Sequence, residues 1–336
     1  MKAKIAINGY GRIGRNILRA FYESHLSDNL QIVAINDLCD PQVNAHLTQY
    51  DSIHGRFRHD VVVENDALII NGDAIKVFRE KDTSALPWAE LDIDIVFECT
   101  GLFTDRDSAS KHIEAGAKKV LISAPSKDAD ACVVYGVNQN SIQPHHTIIS
   151  NASCTTNCLA PLAKIINSHF GIQSGLMTTI HAYTNDQHLM DAFSGDLYRA
   201  RSAASSMIPT KTGAAAAVGL VLPELEGKLS GMAIRVPTSN VSLVDLTATL
   251  KSSCSASELN DLIQREAAKN YIGIVACNHD PLVSIDFNHR PESCIFDATQ
   301  TMTHENTIKV FAWYDNEWGF SNRMLDTAQL MHQISN

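Results

Sequence analysis

The residues best suited to covalent chemistry lie in one short run, Ser150 to Asn157, which reads SNASCTTN. Thr155, Thr156 and Asn157 lead into CLAPLAKIINSHF, where Leu159, Leu162, Ile165, Ile166 and Phe170 recur at helical spacing. That spacing predicts Cys154 at or near a helix N-terminus. There, unpaired backbone N–H groups and the positive end of the dipole favour a thiolate, the nucleophilic form of the side chain. A lone cysteine is otherwise a small buried hydrophobe, so a second group must separate the two readings. His181, on the strand-like GLMTTIHAYT, follows Cys154 by one helix and one turn, a spacing that returns a strand end beside a helix start. On an apolar strand a histidine is ordinarily a hydrogen-bonded core residue. Beside an activated cysteine it becomes a general base, the pairing that thiol catalysis needs. A protonated His181 is expected to lower the Cys154 pKa further than the helix start alone. Cys158, one turn on, is read as helix packing.

A second constellation is cationic. Asn185 to Lys211 runs with little periodicity, carries Arg199 and Arg201, and ends in MIPTKTGAAAA, where Thr212 and Gly213 open an Ala-rich helix. Hydroxyls and N–H groups at a helix start suit an anion, and a loop this long inside a compact domain is usually functional. Arg235 ends the strand SGMAIRVP. In a chain of net charge −10, three arginines near hydroxyl-rich turns read as ligands for phosphate groups. The same net charge argues against nucleic-acid binding.

The elements that must position these groups begin with a strand, Lys2 to Asn8, followed at once by NGYGRIGR. Gly9, Gly11 and Gly14 form G-x-G-x-x-G: a tight turn, a close approach for a pyrophosphate, and close packing of helix on strand. A second strand, QIVAIND, ends in Asp37, about 20 residues past the glycines. A carboxylate there accepts from both ribose hydroxyls and repels a 2′-phosphate, which selects NAD over NADP. Pro41 opens a helix through Tyr50, Asn71-Gly72 marks a hairpin, Gly101 ends the buried strand IDIVFECTG, and Asp105 caps a helix running to Gly116. KKVLIS, ACVVYGV and TIIS read as further strands, VSLVDLTATL as a sheet strand of the second half, and GFSNRMLDTAQLMHQI as a last helix. The fold class is therefore α/β: a Rossmann-type doubly wound parallel sheet plus an α+β catalytic domain with a large mixed sheet. The expected boundaries are 1–153 for the NAD-binding domain, with helix 318–336 packing back on it, and 154–317 for the catalytic domain.

A chain of 336 residues with 45% hydrophobic and 19% charged residues has room for two cores. No apolar run approaches the ~18 residues of a membrane span. MKAKIAING enters a strand without a signal or transit pattern, so the cytoplasm is the expected location. The eight cysteines show no disulfide framework and no C-x-x-C, so free thiols are expected and no metal site is.

INGYGRIGR, AIND, DSIHGRF, SNASCTTNCLAP, HAYTNDQ, TGAAAAVG, RVPTSNVS and WYDNEWGFSNRM together resemble, nearly end to end, the phosphorylating glyceraldehyde-3-phosphate dehydrogenases. The resemblance implies a glycolytic enzyme in which Cys154 is the nucleophile and His181 its base. It implies one phosphate site at Thr184 and Arg235, and another at Ser153, Thr155, Arg199, Thr212 and Gly213. It also implies NAD contacts from Gly9, Gly11, Arg12, Ile13, Gly14, Asp37 and Ser123, with Asn316 as the partner of the nicotinamide amide. The implied reactants are glyceraldehyde 3-phosphate and inorganic phosphate, and the implied assembly is a homotetramer in which Tyr183 to Arg201 borders the neighbouring subunit's cofactor. Tyr198 departs from the family's R-R-A-R run. VVYGVNQ and PLVSIDFNH resemble the sister erythrose-4-phosphate dehydrogenases, which leaves that substrate as the alternative. From the residues alone, a Cys–His acyltransferase or hydrolase and a non-catalytic redox sensor also stay open. Neither accounts for two anion sites.

Overall fold

The structure is a computed structural model that describes residues 2–24 and 26–335. Its contacts divide into two compact units. Of the described residues, one comprises those up to Tyr135, Gln139–Ala152 and 321–335; the other comprises Gly136–Asn138 and Ser153–Phe320.

The first unit is built on β1 (Ala3–Asn8), α1 (Arg12–Glu23), β2 (Leu30–Asn36), α2 (Pro41–Gln49), β3 (Val61–Glu64), β4 (Ala67–Ile70) and β5 (Asp73–Phe78). It continues with β6 (Ile95–Glu98), α3 (Arg106–Glu114), β7 (Lys119–Ile122), β8 (Ala131–Cys132) and β9 (Ile148–Ser150). The sheet runs β8-β9-β7-β6-β1-β2-β5-β4-β3. Its centre is parallel, and only β3, β4 and β5 form an antiparallel meander. Parallel strands need cover on both faces, and Ile5, Ala6, Ile7, Val96 and Leu121 are accordingly fully buried. Local signals set the element ends. Asp40 caps α2 by accepting from the Gln42 N–H with Pro41 at the first turn, and Asp105 caps α3 by accepting from the Ser108 N–H. Asn71 and Gly72 both take positive φ, which the hairpin between β4 and β5 requires. The run ACVVYGV pairs only at Ala131–Cys132. Val133 and Val134 are buried beyond it, the Val133 N–H still donating to the Ser150 carbonyl at 2.8 Å before the chain turns at Gly136 with φ +88°.

The second unit holds α4 (Cys154–Phe170), β10 (Ile172–Ala182), β11 (Ile208–Lys211), α5 (Ala214–Val221), β12 (Leu229–Val236), β13 (Ser242–Leu250) and α6 (Ala256–Lys269). After these come β14 (Val275–Asn278), β15 (Cys294–Asp297), β16 (Met302–His304), β17 (Thr307–Tyr314) and the start of α7 (Trp318–Ser335). The sheet order is β11-β12-β10-β13-β17-β15-β14, with β16 on β17. It is mixed: β10 runs parallel to β12, and β13 and β17 run antiparallel to their neighbours. α4 packs on β10, β13, β15 and β17 and against α5 and α6. A helix covered on most sides must be apolar around most of its circumference, and Leu159, Ala160, Leu162, Ala163, Ile165 and Ile166 are all buried.

Candidate active site

The helix α4 begins at Cys154, and Ser153 is its N-cap, accepting from the Thr156 N–H at 3.1 Å. Cys154 is therefore the first helical residue, with its side chain beside orphan N–H groups. The strand β10 brings His181 to it: His181 Nε2 lies 3.6 Å from Cys154 Sγ. The parallel register of β10 on β12 sets His181 directly beside Arg235. Arg235 Nη1 donates to the Ala182 carbonyl at 2.9 Å and lies 2.5 Å from His181 Nδ1. The Ala182 carbonyl is also 2.7 Å from Nδ1 and can only accept. The carbonyl calls for a hydrogen on Nδ1, while the guanidinium, which only donates, calls for a bare Nδ1; with the hydrogen on Nδ1, Nε2 is bare toward the sulfur, as a base requires.

Two electrostatic expectations are corrected here. Burial and then the Arg235 cation push the His181 pKa down to about 3, so the ring is neutral at physiological pH and not an imidazolium. Burial also raises the Cys154 pKa, opposed by Arg235 and by the Thr155 hydroxyl and N–H. Each charge taken singly is thus disfavoured in the free protein: removing charge from water outweighs a helix start, whose contribution is about 0.3–1 kcal/mol.

Around this pair the structure adds groups that the motif reading did not use. Tyr314 packs edge-on to His181 with ring centroids 6.0 Å apart, and its hydroxyl bonds to both Thr155 Oγ1 and Thr179 Oγ1 at 2.8 Å. Thr155, expected among the phosphate ligands, is buried, with its hydroxyl on Tyr314 and beside Cys154. Ser242 accepts from the Ala182 N–H at 3.0 Å and donates to Asn316 Oδ1 at 2.8 Å, tying the end of β10 to Asn316. Val241, just before it, has φ +68°, strained for a β-branched residue. Nothing in the local sequence pattern marks Tyr314 or Ser242, because their partners come from distant strands.

The cations fall out unequally. Arg235 keeps a buried Nε with no hydrogen-bond partner among the described residues. Arg199 donates from Nη1 to Asp186 Oδ2 at 2.7 Å and from Nε to Thr210 Oγ1 at 3.0 Å. Arg201 pairs with Asp191 on the surface, both side chains more than half exposed, and joins neither group. Gly213 is the N-cap of α5 without a side-chain cap, while Thr212 Oγ1 accepts from the Ala214 N–H at 3.2 Å. Thr184 donates its hydroxyl to Asp186.

In the other unit, a cleft of about 570 Å³ opens at the carboxyl ends of β1, β2 and β6. Its lining includes Gly9, Gly11, Asn36, Asp37, Lys81 and Thr100. Gly9 has φ +87°, and a Cβ there would lie 2.6 Å from the Thr100 nitrogen. A Cβ on Gly14 would meet the Gly9 carbonyl at 2.3 Å, so only glycine lets α1 pack this closely on the turn. Gly11, the N-cap of α1, has no side-chain cap and open space around its Cβ position. Gly11 itself offers the first N–H groups of α1 no side-chain acceptor, which fits a pyrophosphate. Asp37 is held by the Tyr10 N–H at 2.8 Å and the Cys39 N–H at 2.9 Å. Ile13 is half-buried on α1, and Arg12 there is ion-paired to Asp51. Ser123 follows β7 with its N–H on the Glu98 carbonyl at 2.9 Å, and neither it nor Arg12 lines the cleft. Lys81, which the sequence reading passed over, brings a cation to it.

Comparison with known proteins identifies the family. Residues 3–106 match the family described as glyceraldehyde 3-phosphate dehydrogenase, NAD binding domain, and residues 153–316 match its C-terminal domain. Glyceraldehyde-3-phosphate dehydrogenase of Pseudomonas aeruginosa is 60% identical over 328 residues, 98% of each chain. The plasmid-encoded protein of that name from Cupriavidus necator is 59% identical over 98% of each chain. The one from Xanthobacter flavus is 55% identical, over 99% of this chain and all of its own. With matching descriptions over most of its length and relatives this similar end to end, the chain belongs to the glyceraldehyde-3-phosphate dehydrogenase family.

Proposed function

We propose that this protein oxidises glyceraldehyde 3-phosphate with NAD and inorganic phosphate, giving 1,3-bisphosphoglycerate. The observation that carries the reading is the Cys154–His181 contact, 3.6 Å between sulfur and Nε2 at a helix start, with Arg235 in register beside the histidine. As Sγ adds to the aldehyde carbon, its proton passes to Nε2, so no thiolate need exist beforehand. The resulting thiohemiacetal oxyanion is held by N–H groups at the start of α4 and by the newly protonated ring. NAD, bound at the glycine turn through Gly9, Gly11, Gly14 and Asp37, supplies the hydride acceptor. The oxidised adduct is a thioester on Cys154, which retains energy that hydrolysis would discard. Inorganic phosphate attacks its carbonyl carbon, the C–S bond breaks, and the sulfur recovers its proton from His181.

Thr184 and Arg235 are assigned to the substrate phosphate. Ser153, Arg199, Thr212 and Gly213 are assigned to the attacking phosphate, and Asn316 to the nicotinamide amide. A cytoplasmic homotetramer completes the proposal, with 1–153 and 154–317 as domains. Leu189, Met190, Phe193 and Leu197, each at least 73% exposed, support cover by another copy. Among the described residues no helix is long and apolar enough to cross a membrane.

The test is absorbance at the NADH band with glyceraldehyde 3-phosphate, with and without inorganic phosphate. Phosphate-dependent NADH formation is expected. Phosphate-independent turnover makes the protein a hydrolytic aldehyde dehydrogenase, a higher kcat/KM on erythrose 4-phosphate selects the sister activity, and equal use of NADP overturns the assignment of Asp37.

A further inference from the structure

Asp186 lies two residues beyond Thr184, on the irregular stretch after β10, and has no part in the chemistry above. Its two carboxylate oxygens are nevertheless placed on donors of both anion sites. Oδ1 accepts from the Thr184 hydroxyl, assigned to the substrate phosphate, and Oδ2 accepts from Arg199 Nη1 at 2.7 Å, assigned to the attacking phosphate. Arg199 is further fixed by Thr210 Oγ1 at 3.0 Å, so the guanidinium is held in place while presenting one edge to the carboxylate. Burial pushes the Asp186 pKa up, but the Thr184 hydroxyl, Arg235 and Arg199 together bring it below the ordinary carboxylate value, so it is an anion at neutral pH. Neither partner is fully buried: the side chains of Arg199 and Asp186 are 31% and 49% exposed.

Resting on the proposed reaction, we propose that Asp186 is a specificity-determining residue, a resident anion that bridges the two phosphate sites and must be outcompeted before either fills. The physical case is one of charge and shape. A carboxylate offers these donors one negative charge and two oxygens. A phosphate dianion offers two charges and three oxygens to the same hydroxyl and guanidinium. An incoming monoanion gains nothing over the group already seated, whereas a dianion does. The sites are thereby set to reject carboxylates and chloride while their donors stay paired and ordered between turnovers. Because one side chain spans both sites, displacing it from Arg199 also frees Thr184.

Calorimetric titration of the full-length protein with inorganic phosphate tests this without reference to turnover. Asp186→Asn keeps the shape and an acceptor oxygen but removes the charge. It is expected to bind phosphate about two- to fivefold more tightly, as fits the loss of one partly exposed ion pair. Asp186→Glu keeps the charge and is expected to stay within about twofold of the parent. Unchanged or weaker binding by the Asn variant overturns the proposal and makes Asp186 a scaffold for Arg199. An equal gain in the Glu variant also overturns it, since loop geometry and not charge is then responsible. Failure of the proposed reaction is distinguishable: it shows as phosphate-independent NADH formation by the unmodified protein, whatever the titrations give.

Discussion

His112 in the unit of the glycine turn and His181 in the unit of Cys154 are both buried, at 0% and 5% exposure, yet their rings meet opposite neighbours. The Trp88 indole donates to His112 Nδ1 at 3.1 Å, so Nε2 carries the hydrogen and donates to Glu98 Oε2 at 3.0 Å. Glu98 is completed by the Asn8 amide at 2.6 Å and by the N–H of Thr100 at 2.8 Å. Asn8 in turn accepts from Asn36 at 2.7 Å, so the network pins the ends of β1, β2 and β6 where the cleft opens. His181 has a cation pressed against Nδ1 and only a long contact to a thiol at Nε2. A fully satisfied polar network stiffens a site. An incompletely satisfied one retains the capacity to change protonation. Burial alone distinguishes nothing between these two histidines; the partners do.

The contrast breaks most readily at His181. Replacing it with Asn is expected to lower kcat by about 10²–10⁴-fold, the usual worth of a positioned acid–base group, with NAD affinity unchanged by equilibrium titration. A variant that retains parental kcat would make His181 a second His112. The reciprocal change, His112→Ala, leaves the Trp88 indole without its acceptor and Glu98 one donor short. At about 1–3 kcal/mol for each of the two groups, urea unfolding should show a loss of about 2–6 kcal/mol, while the rate at which iodoacetamide alkylates Cys154 stays put. An unshifted unfolding midpoint would mean that the network is not the anchor described here.

Arg235→Ala sharpens the comparison by removing the cation that only His181 has. Turnover of glyceraldehyde 3-phosphate should fall by roughly 10- to 150-fold, the cost of about 1.5–3 kcal/mol for a lost charge-assisted contact, with a much smaller loss on unphosphorylated glyceraldehyde. The ring should also become more basic, seen by NMR titration as a rise from its value of about 3. A ring that titrates unchanged would leave burial as the sole cause.

The smallest effect is on acid stability. Because the folded pKa of His181 is depressed from 6.5 to about 3, the unfolded chain binds the extra proton between those values. Stability from this residue is full above the unfolded pKa and falls as pH drops through the window, by up to about 1.4 kcal/mol per pH unit. Urea midpoints at pH 7 and pH 5 should therefore differ less in His181→Asn than in the parent. Equal differences would show that the ring is charged in the folded state.

The sequence by itself determined the local grammar: Asp40-Pro41 and Asp105 at helix starts, Asn71-Gly72 at a hairpin, the tight turn of Gly9 and Gly14, and the helix that begins at Cys154. Each depends on dihedral preferences and hydrogen bonds within about one turn of chain, so nearby residues suffice to specify it. What only the tertiary structure decided are the consequences of long-range register and desolvation. Burial, and then Arg235 brought against the ring by the pairing of β10 with β12, keep His181 neutral, while Tyr314 bonds to the Thr155 hydroxyl from another strand. The fold of the irregular stretch after β10 seats Asp186 between Thr184 and Arg199. The residues that set these charges are distant in sequence, and the cost of holding a charge depends on how much water the whole fold removes, which no local pattern encodes.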